Sequence, residues 1–168
     1  MKKMKKEEYL DIVDDKDKLL YVATRKEAME KNLLHRGTAV LVKNSKGEIL
    51  IHKRTETKDI FPGYYDFWFG GAVSSGEEYK TGALRELKEE AGIAKVNLEF
   101  LFKHKYDNFP RCFIAVYECV SDGPFKFQKK EVTEAYFVSM DKLKRRIKTD
   151  RFCPDGIEVF KKYLKLKK

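Results

Sequence analysis

Cysteine is scarce and unpaired in pattern: Cys112, Cys119 and Cys153 show no C-x-x-C spacing and no neighbouring histidine at ligand spacing. That excludes a disulfide framework and a cysteine-based zinc site, and it implies reduced, mostly buried thiols in a cytoplasmic protein. Long apolar runs are missing too, since no window approaches the roughly 18 residues a membrane helix needs. The basic start MKKMKK leads straight into EEYLDIVDDKDK, without the apolar centre of a secretion signal. A cytoplasmic protein without membrane contact is expected. Repeats and low-complexity linkers are absent as well, so the 168 residues are expected to form one domain.

The charge excess is missing from the body of the chain. Of the formal +9, four lysines lie in residues 1–6 and five in residues 161–168, which leaves residues 7–160 balanced. Both tails are read as solvated ends, and nucleic acid is not expected as a partner.

What is present alternates between strand and helix patterns. EYLDIV and KLLYVA, joined by DDKD, predict a hairpin, and Thr24 with Glu27 predicts a capping box for a helix over 25–32. This unit, about 7–33, is expected as an appendage before the core and as the place for a homodimer contact. RGTAVLVKN and EILIHKR around the turn NSKG predict the first core hairpin. YYDFWFG, LEFLFKHKY, CFIAVYECV and EAYFVSM predict further strands, with helices over 78–91, DKLKRRIK and GIEVFKKYLK. The class is α+β, a mixed sheet with helices on its faces.

The helix over 78–91 places Glu86, Glu89 and Glu90 at i, i+3 and i+4 on one face. Their repulsion costs a few tenths of a kcal/mol per pair, which an exposed acidic face could tolerate. Glycine-rich flanks, GG and SSG before the helix and Ala91-Gly92 after it, let backbone approach whatever the acids hold. Carboxylates at this spacing, with a backbone carbonyl from the GG turn, suit a hard cation such as Mg²⁺ or Mn²⁺.

Gly71, Glu77, Arg85-Glu86-Leu87, Glu89-Glu90 and Gly92-Ile93 match all nine defined positions of the Nudix box within 23 residues. The chain from about residue 35 resembles the Nudix hydrolases. The resemblance implies an α/β/α sandwich and metal-assisted hydrolysis of a diphosphate linking a nucleoside to another group. It also implies Mg²⁺ or Mn²⁺ held by Glu86, Glu89, Glu90 and the Gly70 carbonyl, with Glu86 able to take a proton from water. Gly71 is expected to make the tight turn, and Arg85 to orient a carboxylate, Glu86 or Glu77. A further catalytic glutamate is expected from the loop before the last strand, where Glu131 is favoured over Glu134.

Lys53, Arg54 and Lys58 are the candidate substrate-phosphate cations. At least one of Phe67, Trp68 and Phe69 belongs to the core, and at most two line a pocket. His35, His52 and His104 are read as ordinary packed or surface histidines. LLHRGTAVLV, RTETKDIFPG and FCPDG also resemble the branch that includes isopentenyl-diphosphate isomerase, and His35 matches one of its metal histidines. The chain departs from that enzyme at Gly70-Gly71-Ala72, where the isomerase has its catalytic cysteine, and at Ala28, where it has a second histidine. The other alternative is a non-catalytic Nudix domain that binds a nucleotide or RNA; the complete set of box carboxylates distinguishes this chain from it.

Overall fold

In a computed structural model the described residues are 6–168, and residues 1–5 of the basic N-terminal run lie outside them. The chain begins with an antiparallel pair, β1 (Tyr9–Val13) and β2 (Leu19–Thr24), then α1 (Arg25–Glu30). The Thr24 hydroxyl accepts from the Glu27 N–H at 3.1 Å, the cap the sequence predicts. This unit is docked on the core. Ser75 N–H reaches the Tyr9 carbonyl, Val13 N–H reaches that of Leu34, and Asp17 accepts from Arg36, Tyr79 and Lys103.

The main sheet contains β3 (His35–Lys43), β4 (Ile49–Arg54), β5 (Tyr65–Asp66), β6 (Glu99–Tyr106), β7 (Cys112–Val120) and β8 (Val132–Val138). The expected hairpin of β3 and β4 touches at one pair only, Lys43 with Ile49. Beyond it the strands separate. β3, apolar on both faces, runs parallel to β7 from His35–Cys112 to Lys43–Val120, as a fully buried central strand does. β4 instead pairs with β8 and β5.

The stretch 65–72 bridges this split. It starts on β4 as β5 and ends against β3 through the pairs Val40–Phe69 and Gly37–Ala72. The single strand expected over YYDFWFG is therefore short. Asp66 Oδ1 accepts from the N–H of Phe67 (2.8 Å) and Trp68 (3.0 Å), which turns the chain out of the β4 ladder.

Alternation along β3 fills two cores. Ala39 and Leu41 face α3 (Met140–Arg146) and α4 (Pro154–Leu166), while Val40 and Val42 face α2 (Tyr79–Ala91). The result is the expected mixed sheet between helical layers. The C-terminal tail needs correction. Residues 161–166 are the last turns of α4, Tyr163 is 1% exposed, and Lys167 pairs with Glu118 at 2.6 Å. The lysines mark the outer face of an amphipathic helix.

Candidate functional site

Helix α2 forms because Gly82, Ala83, Leu87 and Ala91 make one buried stripe against the sheet. Burial of Leu87 alone is worth about 1.5–3 kcal/mol, well above the few tenths that repulsion between its glutamates costs. Gly92, at φ 71°, ends the helix by donating its N–H to the Lys88 carbonyl. The exposed carbonyls of Glu90 and Ala91 accept from Gln128 (3.0 Å) and Lys126 (2.9 Å). These bonds dock the loop before β8 on the helix end and deliver Glu131 to the same region.

Arg85 organises the entrance loop. It forms a two-pronged pair with Glu77 (2.9 and 3.0 Å), bonds Glu86 Oε1 at 2.8 Å and Glu89 Oε2 at 3.4 Å, and donates to the Ala72 carbonyl at 3.2 Å. Both carboxylates that the sequence names as its partners are engaged. Gly82 makes the Glu77 arm fit, since a Cβ there would lie 2.8 Å from Glu77 Oε1. The Arg85 hydrogen bond holds the Glu77 carboxyl below its ordinary value.

Glu86 and Glu90 lie half-buried, whereas the Glu89 side chain is 53% exposed. Burial, followed by mutual repulsion, pushes the Glu90 carboxyl well above the usual range; burial also raises Glu86 against the pull of Arg85. Glu131, immediately before β8, pairs with Lys58 and adds to the negative potential at Glu90. Glu134 lies on β8 and accepts from the Tyr65 hydroxyl at 2.8 Å. Lys58 thus connects the carboxylates to the loop after β4.

The glycines differ from expectation in their role. Gly71 shows no left-handed backbone; it lies beside Glu86, where a Cβ would come within 3.0 Å of the carboxyl. At Gly70 a Cβ would meet the Thr38 carbonyl at 2.0 Å, so only glycine lets this segment close on β3. The Gly70 carbonyl accepts no hydrogen bond among the described residues.

As they stand, no three His, Cys, Asp or Glu side chains among the described residues form a ready metal cluster. Arg85 occupies Glu86 and Glu89, and Lys58 occupies Glu131. The donor set nevertheless fits. Glu86 and Glu90 are oxygen donors held together against their own repulsion, a free carbonyl lies at Gly70, and Gly71 leaves a space no side chain fills.

A cavity of about 170 Å³ opens beside Gly70 and Gly71, where β3 and the 65–72 segment meet α4. Arg54 and Lys58 line it, but Lys53 does not; its ammonium lies over the Tyr65 ring at 5.6 Å. Adjacent strand residues point to opposite faces, so Lys53 and Arg54 could not both serve the cavity. Phe61 reaches the cavity from a left-handed backbone (φ 49°). Phe67, Trp68 and Phe69 are all buried, and Trp68 alone of the three lines the cavity.

Sequence reasoning missed Arg25, Asp66 and Asp155, which also line this cavity. Arg25 comes from α1 in the N-terminal unit and pairs with Asp59 at 2.8 Å. His35 faces the cavity, His52 is packed 4.3 Å from the Phe69 ring with its pKa lowered by burial to about 3, and His104 bonds Glu158 at 2.6 Å.

Residues 33–160 match the model of the NUDIX domain family. A Nudix hydrolase of Pseudomonas aeruginosa, PA4841, is 37% identical over 153 residues, covering 90% of each chain. YfcD of Escherichia coli K12, also named a Nudix hydrolase, is 35% identical over 162 residues, covering 94% of this chain and 87% of its own. The crystal structure of DR0079 from Deinococcus radiodurans superposes with a TM-score of 0.82 at 26% identity, covering 92% of this chain and 98% of that one. With the box, the sheet between helices and the family match all in one register, the chain belongs to the Nudix family.

Proposed function

We propose that the chain hydrolyses the diphosphate bond of a nucleoside diphosphate linked to another group, with Mg²⁺ or Mn²⁺ as cofactor. The observation that carries this reading is the concentration of half-buried carboxylates on α2 beside a cavity whose near wall is cationic. Family membership and the hydrolase names of the relatives point the same way. A bound divalent ion would neutralise phosphate oxygens and activate water for attack at phosphorus.

The side chains divide the remaining work. Glu86, Glu89 and Glu90, with the Gly70 carbonyl, hold the cation. Arg85 fixes Glu86 through Oε1 and leaves Oε2 as the acceptor for a proton from water. Burial raises the Glu86 carboxyl, which makes it a better base than an exposed glutamate. Glu131 serves as the further acid from outside the box, carried to α2 by the docked loop. Lys58 and Arg54 meet the phosphates from the cavity side.

The test is a panel of diphosphate compounds, including nucleoside diphosphate sugars and dinucleotides, assayed for released phosphate or nucleotide. Turnover is expected with Mg²⁺ or Mn²⁺ and is expected to vanish in EDTA. Turnover that persists in EDTA contradicts the reading.

A further inference from the structure

The cavity lining combines cations with buried carboxyls. The cations are Arg54 and Lys58. The first turn of α4 brings Asp155 to Asp66, and each carboxyl is raised above its ordinary value, Asp66 to about 7. For both, burial is the main cause; Asp155 adds a repulsive contribution at Asp66.

The two carboxyls differ in their donors. Asp66 Oδ1 is used by the N–H groups of Phe67 and Trp68, and the Cys153 thiol donates to the same carboxyl. Asp155 Oδ1 is buried with no hydrogen-bond partner among the described residues. Arg54 acts on the pair only at range, because its Nε and Nη2 donate to the Ile60 carbonyl at 3.1 and 2.7 Å.

His35 adds an independent acceptor. It is 4% exposed and lines the same cavity. Its Nδ1 lies 2.9 Å from the Leu33 carbonyl, which can only accept, so Nδ1 carries the proton. Burial lowers the imidazole pKa and keeps the ring neutral. Nε2 is therefore a bare acceptor, and no group among the described residues donates to it.

A buried acceptor left unsatisfied costs about 1–3 kcal/mol, so Asp155 Oδ1, with His35 Nε2 in the same cavity, is expected to meet a donor from a ligand. The apolar remainder of the wall, Trp68, Ile114 and Val159, suits a flat ring. About 170 Å³ holds roughly six waters at the volume each takes in the liquid, the scale of a single ring system.

We propose that this part of the cavity recognises an amino-substituted heterocycle, such as an aminated nucleobase, whose exocyclic N–H₂ donates to the unpartnered Asp155 Oδ1 and to the Asp66 carboxyl beside it. The inference rests on the diphosphate-hydrolase reading only for where the phosphates lie. Above pH 7, where Asp66 is ionised, an oxo group at the same ring position would turn a lone pair toward the carboxylate oxygens and Nε2. A site built to receive N–H discriminates strongly against an analogue lacking it.

Matched pairs test this on the full chain: CDP against UDP and ADP against IDP, which differ by amino versus oxo. Binding is measured by calorimetry in EDTA at pH 8.5, where Asp66 is ionised, and turnover with Mg²⁺. In at least one pair the amino compound is expected to bind at least tenfold more tightly. Asp155→Asn and Asp66→Asn keep shape and the Oδ1 acceptor while presenting a donor, and each is expected to reduce the preference below threefold or invert it; thermal melting checks that both variants fold. Equal binding within both pairs, or a preference that survives both substitutions, overturns the proposal. Base discrimination in EDTA, with no turnover of the wider diphosphate panel under either metal, supports the pocket and overturns the hydrolase reading. Turnover without discrimination overturns the pocket and leaves the hydrolase reading standing.

Discussion

Two sets of crowded carboxylates, Glu86 with Glu90 on α2 and Asp66 with Asp155 where β5 meets α4, differ in place, since only the aspartates line the cavity, and in how they are stabilised. Both are pushed toward the neutral form first by burial. The helix set has cations at contact distance, Arg85 on Glu86 and Glu89, and Lys58 on the neighbouring Glu131. The aspartate set has backbone N–H donors on both carboxyls, the Cys153 thiol on Asp66 and a more distant Arg54. Carboxylates crowded on one helix face, with cations already drawn to their neighbours, form an oxygen-donor set that suits a divalent cation. A buried carboxyl oxygen without a partner, as at Asp155 Oδ1, suits a ligand that brings its own hydrogen-bond donor.

The largest effect expected from breaking this contrast is at Glu86. Glu86→Gln keeps size and removes the charge, and kcat is expected to fall by at least about 100-fold, a typical loss for an essential group; the matching Asp66→Asn change is expected to leave kcat on its best substrate within about tenfold. Steady-state kinetics of both variants on one substrate checks the pair.

A smaller effect sharpens the boundary of the helix set. Glu131→Gln is expected to lower kcat at least tenfold and weaken metal activation, whereas Glu134→Gln, bound to Tyr65 on the outer strand, stays within about twofold of the parent. Metal titrations of turnover in the two variants decide whether Glu131 belongs to the site.

The smallest effect is on stability. Asp66 is held at about 7 when folded against 3.8 ordinarily, so the folded state binds the extra proton between those values. Its penalty is absent below pH 3.8, grows as pH rises through that window, and is complete above 7. Asp66→Asn is therefore expected to raise Tm by on the order of 5 °C at pH 8, with the gain lost near pH 4. Melting curves at the two pH values measure it.

The two sets were unequally legible in the sequence. The α2 carboxylates share one helical face within five residues, and the glycines around them read as close backbone approach, so the helix over 78–91 differs from the observed Tyr79–Ala91 by one residue. Asp66 and Asp155 are far apart in sequence and meet only because the 65–72 segment crosses from β4 to β3 under the start of α4. Alone, Asp66 looks like a strand residue, and Pro154-Asp155-Gly156 looks like a helix start. The same long-range pairing hid the parallel contact of β3 with β7 behind an apparent hairpin. Arg25 escaped because its helix reads as an appendage. Lys53 could have been set aside from the sequence, since strand alternation already separates it from Arg54.

Mn²⁺ binding in the absence of substrate tests the central claim, that the α2 carboxylates and not the aspartate pair hold the cation. Calorimetric titration of the parent chain, Glu90→Gln and Asp66→Asn needs no turnover. At least tenfold weaker binding is predicted for Glu90→Gln, with parent-like binding for Asp66→Asn. Parent-like binding by Glu90→Gln, or a comparable loss in Asp66→Asn, would contradict it.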